Sequence, residues 1–127
     1  MREFKKVAFT MYPIADTQRA RHFYEVTLGL VPGSKSSNGT WTEYDLPGGG
    51  CLALFRSDDL QPSSTAGGAV AFEVEDLDAL IARLKEAGVR FKAEMIHSPV
   101  CRMSVILDSE GNSILLHQLK KREAATP

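Results

Sequence analysis

Several things are scarce in this chain, and each scarcity excludes a class of function. Basic charge is not in excess: 15 Lys and Arg stand against 16 Asp and Glu, for a net charge of -1. A phosphate backbone is bound through a field of positive charge, and the only clear basic cluster is Lys120-Lys121-Arg122. Nucleic acid is therefore set aside as a partner. No run of about 18 apolar residues is present, as a membrane span requires. The first residues, Met1-Arg2-Glu3-Phe4-Lys5-Lys6, lack the apolar core of a signal peptide. A soluble, cytoplasmic protein with no membrane partner is the expectation. The two cysteines, Cys51 and Cys101, form no CxxC motif, and free thiols are expected in a reducing compartment.

What the chain does contain is a duplication. Phe9-Thr10-Met11-Tyr12-Pro13-Ile14-Ala15-Asp16 has a counterpart in Ala69-Val70-Ala71-Phe72-Glu73-Val74-Glu75-Asp76, sixty positions later. Each block is a strand-like run ending in an acid that can cap a helix. With 127 residues, 43% of them hydrophobic, the repeat fits two halves of one compact domain.

In the first half a strand is expected over Val7–Tyr12, with Pro13 limiting further ladder pairing. A helix follows from about residue 17, its stripe formed by Ala20, Phe23, Tyr24 and Thr27 at i, i+3, i+4 and i+7, and Gly29 ends it. A weak strand, interrupted by Pro32 and Gly33, precedes the Asn38-Gly39 turn, and strands are expected at about Thr40–Leu46 and Cys51–Phe55. Gly48-Gly49-Gly50 lacks the Lys-Ser/Thr of a phosphate loop and reads as a hairpin turn. The second half repeats the plan: a strand at Ala69–Val74, Asp76 as cap, a helix with Leu77, Leu80, Ile81 and Leu84 on one stripe, and Gly88 as its stop. Strands follow at about Val89–Ile96, Arg102–Leu107 and Ser113–Leu119, the last two joined by the turn Asp108-Ser109-Glu110-Gly111-Asn112. The expected boundaries are 4–56 for the first module, 57–67 for a linker, 68–119 for the second module and 120–127 for a polar tail.

Thr10-Met11, Asp16, Gln18-Arg19, Phe23-Tyr24, Leu28-Gly29-Leu30, Val74-Glu75-Asp76-Leu77 and Asp108-Ser109-Glu110-Gly111-Asn112 together resemble the vicinal-oxygen-chelate superfamily of glyoxalases, bleomycin-resistance proteins and dioxygenases. The resemblance covers nearly the whole chain. It implies an α+β fold of two βαβββ modules whose mixed sheets make an open cup with helices packed outside. It also implies a homodimer, with the pocket sometimes completed by the partner.

Metal-dependent members hold a divalent cation in the cup as a Lewis acid for substrate oxygens. The resemblance places the four ligand positions at Phe9, Ala53 (or Leu54 beside it), Ala69 and Leu115. None offers the nitrogen, oxygen or sulfur donors that such cations need. No metal and no other cofactor is expected.

Strand alternation assigns what would face the cup: Phe9, Met11, Cys51, Ala53, Phe55, Ala69, Ala71, Glu73, Leu115 and His117, with the face of Trp41 left open. Tyr12, Leu52, Leu54, Phe72, Val74, Ile114 and Leu116 fall on the helix side. The pocket so described is largely apolar with a few polar groups, as small-molecule sites are. Trp41 and Phe55 either stack on a planar ligand or pack structurally. Glu73 and His117 either divide base and acid roles or serve as solvent contacts and structural hydrogen-bond partners; with His97 or Cys51 they are also candidates for a displaced metal site. Cys51 becomes a nucleophile only beside a group that lowers its pKa. The leading expectation is metal-independent binding of a small, partly apolar or aromatic molecule. The alternative is a lyase, isomerase or dioxygenase-like enzyme around Glu73 and His117, and a third is a scaffold whose dimer surface matters more than its pocket.

Overall fold

The computed structural model describes residues 6–120; the start of the first module and the tail from 121, with most of the basic cluster, lie outside the described residues. The chain separates into two compact units. Among the described residues, one holds 6–63 together with 109–112, the other 64–108 together with 113–120.

In the first unit the elements run β1 (Thr10–Ile14), α1 (Thr17–His22), a π-helical turn (Phe23–Thr27), β2 (Pro32–Lys35), β3 (Trp41–Asp45) and β4 (Cys51–Arg56). They form a four-stranded sheet in the order β1-β4-β3-β2, with β1 parallel to β4 and the other pairs antiparallel. In the second unit β5 (Val70–Glu73), α2 (Leu77–Glu86), β6 (Phe91–His97), β7 (Cys101–Leu107) and β8 (Ser113–Leu119) repeat the arrangement in the order β5-β8-β7-β6. The α+β class and the βαβββ repeat are thus as the sequence implies.

Both helices start where an aspartate satisfies a free backbone donor. Asp16 accepts the Arg19 N–H at 2.9 Å and Asp76 accepts the Ala79 N–H at 3.1 Å, each at the third helical position. Both end at a glycine with positive φ, 82° at Gly29 and 78° at Gly88, a conformation that costs a side chain bearing Cβ. At Gly88 the exit is a Schellman pattern, with Val89 N–H bonded to Leu84 O and Gly88 N–H to Lys85 O.

Each sheet buries one face beneath its own helix. In the first unit Tyr12, Ile14, Thr42, Tyr44, Leu52 and Leu54 are buried with Ala20, Phe23 and Tyr24, and Tyr24 stacks on Tyr44 at 5.9 Å between ring centroids. In the second, Ile106, Ile114 and Leu116 are buried with Leu77, Ile81 and Leu84. The expected alternation holds, since the large apolar residues point toward the helices.

Three local expectations are corrected. The first strand begins at Thr10, so Val7, Ala8 and Phe9 precede it, and it continues through Pro13 and Ile14, in register with Phe55 and Arg56. Pro13 is tolerated because β1 is an edge strand that needs donors on one side only. The same reason admits Pro32 to the edge strand β2, whose pairing with β3 is irregular. The first helix is not continuous: after His22 it widens into the π turn, marked by Leu28 N–H donating to Phe23 O at 2.9 Å.

Candidate functional site

In the first unit, the face of the sheet turned away from the helix carries an aromatic cluster. Trp41 on β3 is in register with Phe55 on β4, and Glu43 with Ala53, which in turn faces Met11 on β1. Thr42 and Tyr44 are buried under the helix, so alternation puts Trp41 on the opposite face, the question the sequence left open. The Phe9 ring meets Trp41 edge to face at 5.2 Å, and Trp41 lies 5.7 Å from Phe55. Phe9 is 44% exposed and Met11 is also exposed, whereas Ala53 is fully buried within the sheet.

Glu43, absent from the sequence-based candidates, organises this face. Its Oε2 accepts the Trp41 indole N–H at 2.7 Å, and its Oε1 lies 3.9 Å from the Cys51 Sγ. The signal that could have found it is the Trp41-x-Glu43 spacing, which places both side chains on one face of a strand. Burial, followed by the negative charges of Glu43 and Asp45, pushes the Cys51 thiol up. Cys51 is therefore a thiol that resists ionisation, the reverse of what a nucleophile needs. Both Cys51 and Cys101 are free.

In the second unit, Glu73 and His117 are paired in register across β5 and β8. The His117 Nδ1 is 2.5 Å from Glu73 Oε1, and Glu73 Oε2 accepts the Leu119 N–H at 3.0 Å. The Leu119 N–H and then His117 hold the Glu73 carboxyl below its ordinary range. Ala71 and Leu115 are a register pair on the same face, and Ala69 is exposed just before β5. His97 is not brought to this pair: it is in register with Arg102, whose guanidinium binds Asp78 of α2, while its neighbour Ile96 is in register with Met103, the partner of His117. His97 and His117 therefore project from opposite faces of the sheet, because adjacent strand residues alternate.

The four positions where the resemblance implies metal ligands do not fit a cation. Phe9 and Ala53 in the first unit and Ala69 and Leu115 in the second carry only carbon and hydrogen in their side chains. Among the described residues no group of three or more His, Cys, Asp or Glu is arranged to hold a metal ion.

With the geometry in view, comparison with known proteins decides the family. The model of the Glyoxalase/Bleomycin resistance protein/Dioxygenase superfamily matches residues 6–116. The chain belongs to this superfamily. Among relatives, it is 31% identical over 110 residues to the anthracycline biosynthesis protein DauV of Streptomyces sp. (strain C5), covering 84% of this chain and 38% of that protein. The chain thus spans well under half the length of the curated relatives it matches, 37% in the case of DnrV of Streptomyces peucetius. Among solved structures, it is similar to TnmS3, an antibiotic binding protein from Streptomyces sp. CB03234, at 26% identity and a TM-score of 0.75, over 94% of this chain and 100% of that one. A glyoxalase/bleomycin resistance protein from the same organism gives 27% identity and a TM-score of 0.71, over 87% and 97% of the two chains. No helix of the described residues is long and apolar enough to cross a membrane.

Proposed function

We propose that this chain binds a small, planar, partly apolar or aromatic molecule without a metal, using the face of its first sheet turned away from its helix. The observation that carries the reading is the Phe9–Trp41–Phe55 cluster. One edge-to-face contact and one tilted contact hold these side chains together, yet Phe9 keeps 44% of its surface exposed. Stacking a flat ligand on such a surface removes apolar area from water and adds a ring–ring term of about 1 kcal/mol per contact. Glu43, anchored by the indole N–H, supplies an acceptor at the edge of the cluster that orients a ligand hydroxyl or amine. The relatives support the same reading, one being named for anthracycline biosynthesis and one for antibiotic binding. The aliphatic residues at the family's ligand positions support its metal-independent form. A homodimer and a cytoplasmic location belong to the proposal as well, and light scattering on the purified protein tests the dimer.

Trp41 is the only tryptophan in the chain, so its fluorescence reads this surface directly. Titration with an anthracycline in the presence of EDTA is expected to quench it saturably, with the same midpoint after Zn²⁺ or Ni²⁺ replaces the chelator. Removing one ring, Phe55→Ala, is expected to weaken binding roughly tenfold, in line with about 1.4 kcal/mol. Quenching that requires the metal, or that is unchanged in Phe55→Ala, would sink the reading.

A further inference from the structure

His117 sits on β8, the strand flanked by β5 and β7 in the second sheet, with Glu73 on one side and Met103 on the other. Both oxygens of Glu73 are engaged, one by the His117 Nδ1 at 2.5 Å and one by the Leu119 backbone N–H at 3.0 Å. The second of these donors is fixed by the strand itself, so the carboxylate is held in place before any ligand arrives. An ionised carboxylate can only accept. The proton in the short contact therefore belongs to Nδ1, and in the neutral imidazole the lone pair lies on Nε2. Among the described residues Nε2 has no hydrogen-bond partner. By register the neighbours on this face are Ala71, Leu115, Met103 and Val105, all uncharged, while Arg102 and Asp78 pair with each other on the helix side. The His117 side chain is 26% exposed, sheltered enough to strengthen a hydrogen bond yet open to a small molecule.

We infer that His117 Nε2 is the proton acceptor for an acidic O–H group, a phenol or an enol, of a molecule bound on the second sheet, with Glu73 as the positioning residue. In the step, the Nε2 lone pair takes the proton and the O–H bond breaks with its electron pair left on oxygen. The new imidazolium is balanced by Glu73, and its Nε2–H then donates to the oxyanion. Charge is conserved and no co-reactant is needed. Ligands with an acidic O–H, such as electron-poor phenols and enolised 1,3-dicarbonyls, fit best.

The test uses 4-nitrophenol, whose phenolate absorbs visible light, and its methyl ether as a control without the proton. At a pH near the dye's own midpoint, saturating wild-type protein is expected to raise the phenolate-to-phenol ratio roughly threefold or more, as one charge-assisted hydrogen bond implies. His117→Gln should abolish the gain, and the methyl ether should show no competition for it. ¹⁵N NMR of the ring provides a readout independent of the dye: the neutral wild-type imidazole should carry its proton on Nδ1. Glu73→Gln should shift that population toward the Nε2–H form and reduce the phenolate gain, while Glu73→Asp should restore part of both. An Nε2–H tautomer in the wild type, no phenolate gain at millimolar dye, or an equal gain in His117→Gln overturns the inference. Trp41 quenching by an anthracycline reports the aromatic face separately, so loss of one response with the other intact identifies which claim has failed.

Discussion

The two modules have the same strand order but secure their helices differently. In the second, Asp76 and Gly88 are twelve positions apart, and α2 is a plain α-helix held by Leu77, Ile81 and Leu84. In the first, Asp16 and Gly29 are thirteen apart, and the extra residue is absorbed by the π turn at Phe23–Thr27. The exit bond shows the same widening: Leu30 N–H reaches back to Tyr24 O, one residue further than Val89 N–H reaches to Leu84 O. A single-residue insertion is thus carried as a bulge, leaving the cap and the stop in place.

Both helices bury apolar residues, but their ion pairs differ: those of α2, Asp78 with Arg102 and Lys85 with Glu94, are largely exposed, whereas the first helix is fastened by a buried carboxylate. Glu110, in the turn that belongs to the first unit, accepts the backbone N–H groups of Ala15 and Asp16 at 3.0 and 2.8 Å, and also the Arg19 guanidinium and the Ser109 hydroxyl. Its side chain has no exposed surface. Burial opposes its charge, but Arg19, the Asp16 amide, Ser109 and the Ala15 amide outweigh it and hold the carboxyl at about 2. Within the π turn, Glu25 joins Arg21 at 2.6 Å to the Tyr44 hydroxyl at 2.9 Å. Burial and then the bond to Glu25 push the Tyr44 hydroxyl up, and Arg21 holds Glu25 down. In both modules apolar residues seat the helix, and in the first the Glu110 carboxylate adds directed bonds at the helix start while the extra residue is carried near the helix end.

The difference can be broken most severely by deleting Ala82, an exposed residue of α2. With no bulge to absorb the change, the helix rotates by about 100° beyond that point and takes Leu84 out of the core, for a loss of about 3 kcal/mol. Amide exchange of Ile114 and Leu116 on β8 should accelerate accordingly. Glu110→Gln should destabilise the first unit by about 2 kcal/mol near neutral pH, read from exchange of Leu52 and Leu54. A carboxyl held down in the folded state contributes its stability above its ordinary value of 4.5 and loses it as pH falls toward about 2. The gap between wild type and Glu110→Gln should therefore close over that interval, and a gap that persists at its lower end would contradict the charge-based account. Asp16→Ala and Asp76→Ala each remove one cap, expected to cost about 1 kcal/mol with faster exchange at Arg19 and Ala79 respectively. The smallest effect is expected from deleting Val26, exposed in the π turn. It should convert the bulge to α-helix and leave stability within about 1 kcal/mol, because the cap-to-stop spacing then equals that of the second module. Unfolding of the first unit by this deletion would show that the π turn is needed for more than accommodating the insertion.

Much of the fold is legible in local pattern. The aspartate caps, the glycine stops, the hairpin turn at Gly48-Gly49-Gly50 and the inward rows of Leu52 and Leu54 or Ile114 and Leu116 depend on residues a few positions apart. Composition at single positions is equally legible: whatever the tertiary arrangement, the side chains of Phe9, Ala53, Ala69 and Leu115 contain no donor atoms. The edge-strand prolines mislead a reading of sequence alone, because whether a strand has one neighbour or two is a property of the sheet. The π turn escapes it because an apolar stripe of i, i+3, i+4 and i+7 does not distinguish a regular helix from one carrying an extra residue near its end.

What only the tertiary structure decided are pairings across long separations. The face of Trp41 followed from the β3–β4 register, and Glu43 entered the site with it. The turn around Glu110 reads in sequence as a mere link between the last two strands, yet it fastens a helix more than ninety positions earlier in the chain. Glu73 and His117 lie 44 positions apart, and it is the parallel register of β5 with β8 that puts an imidazole within hydrogen-bond reach of a carboxylate. Sequence determines which groups a face can offer; register, set by the whole sheet, determines which of them meet.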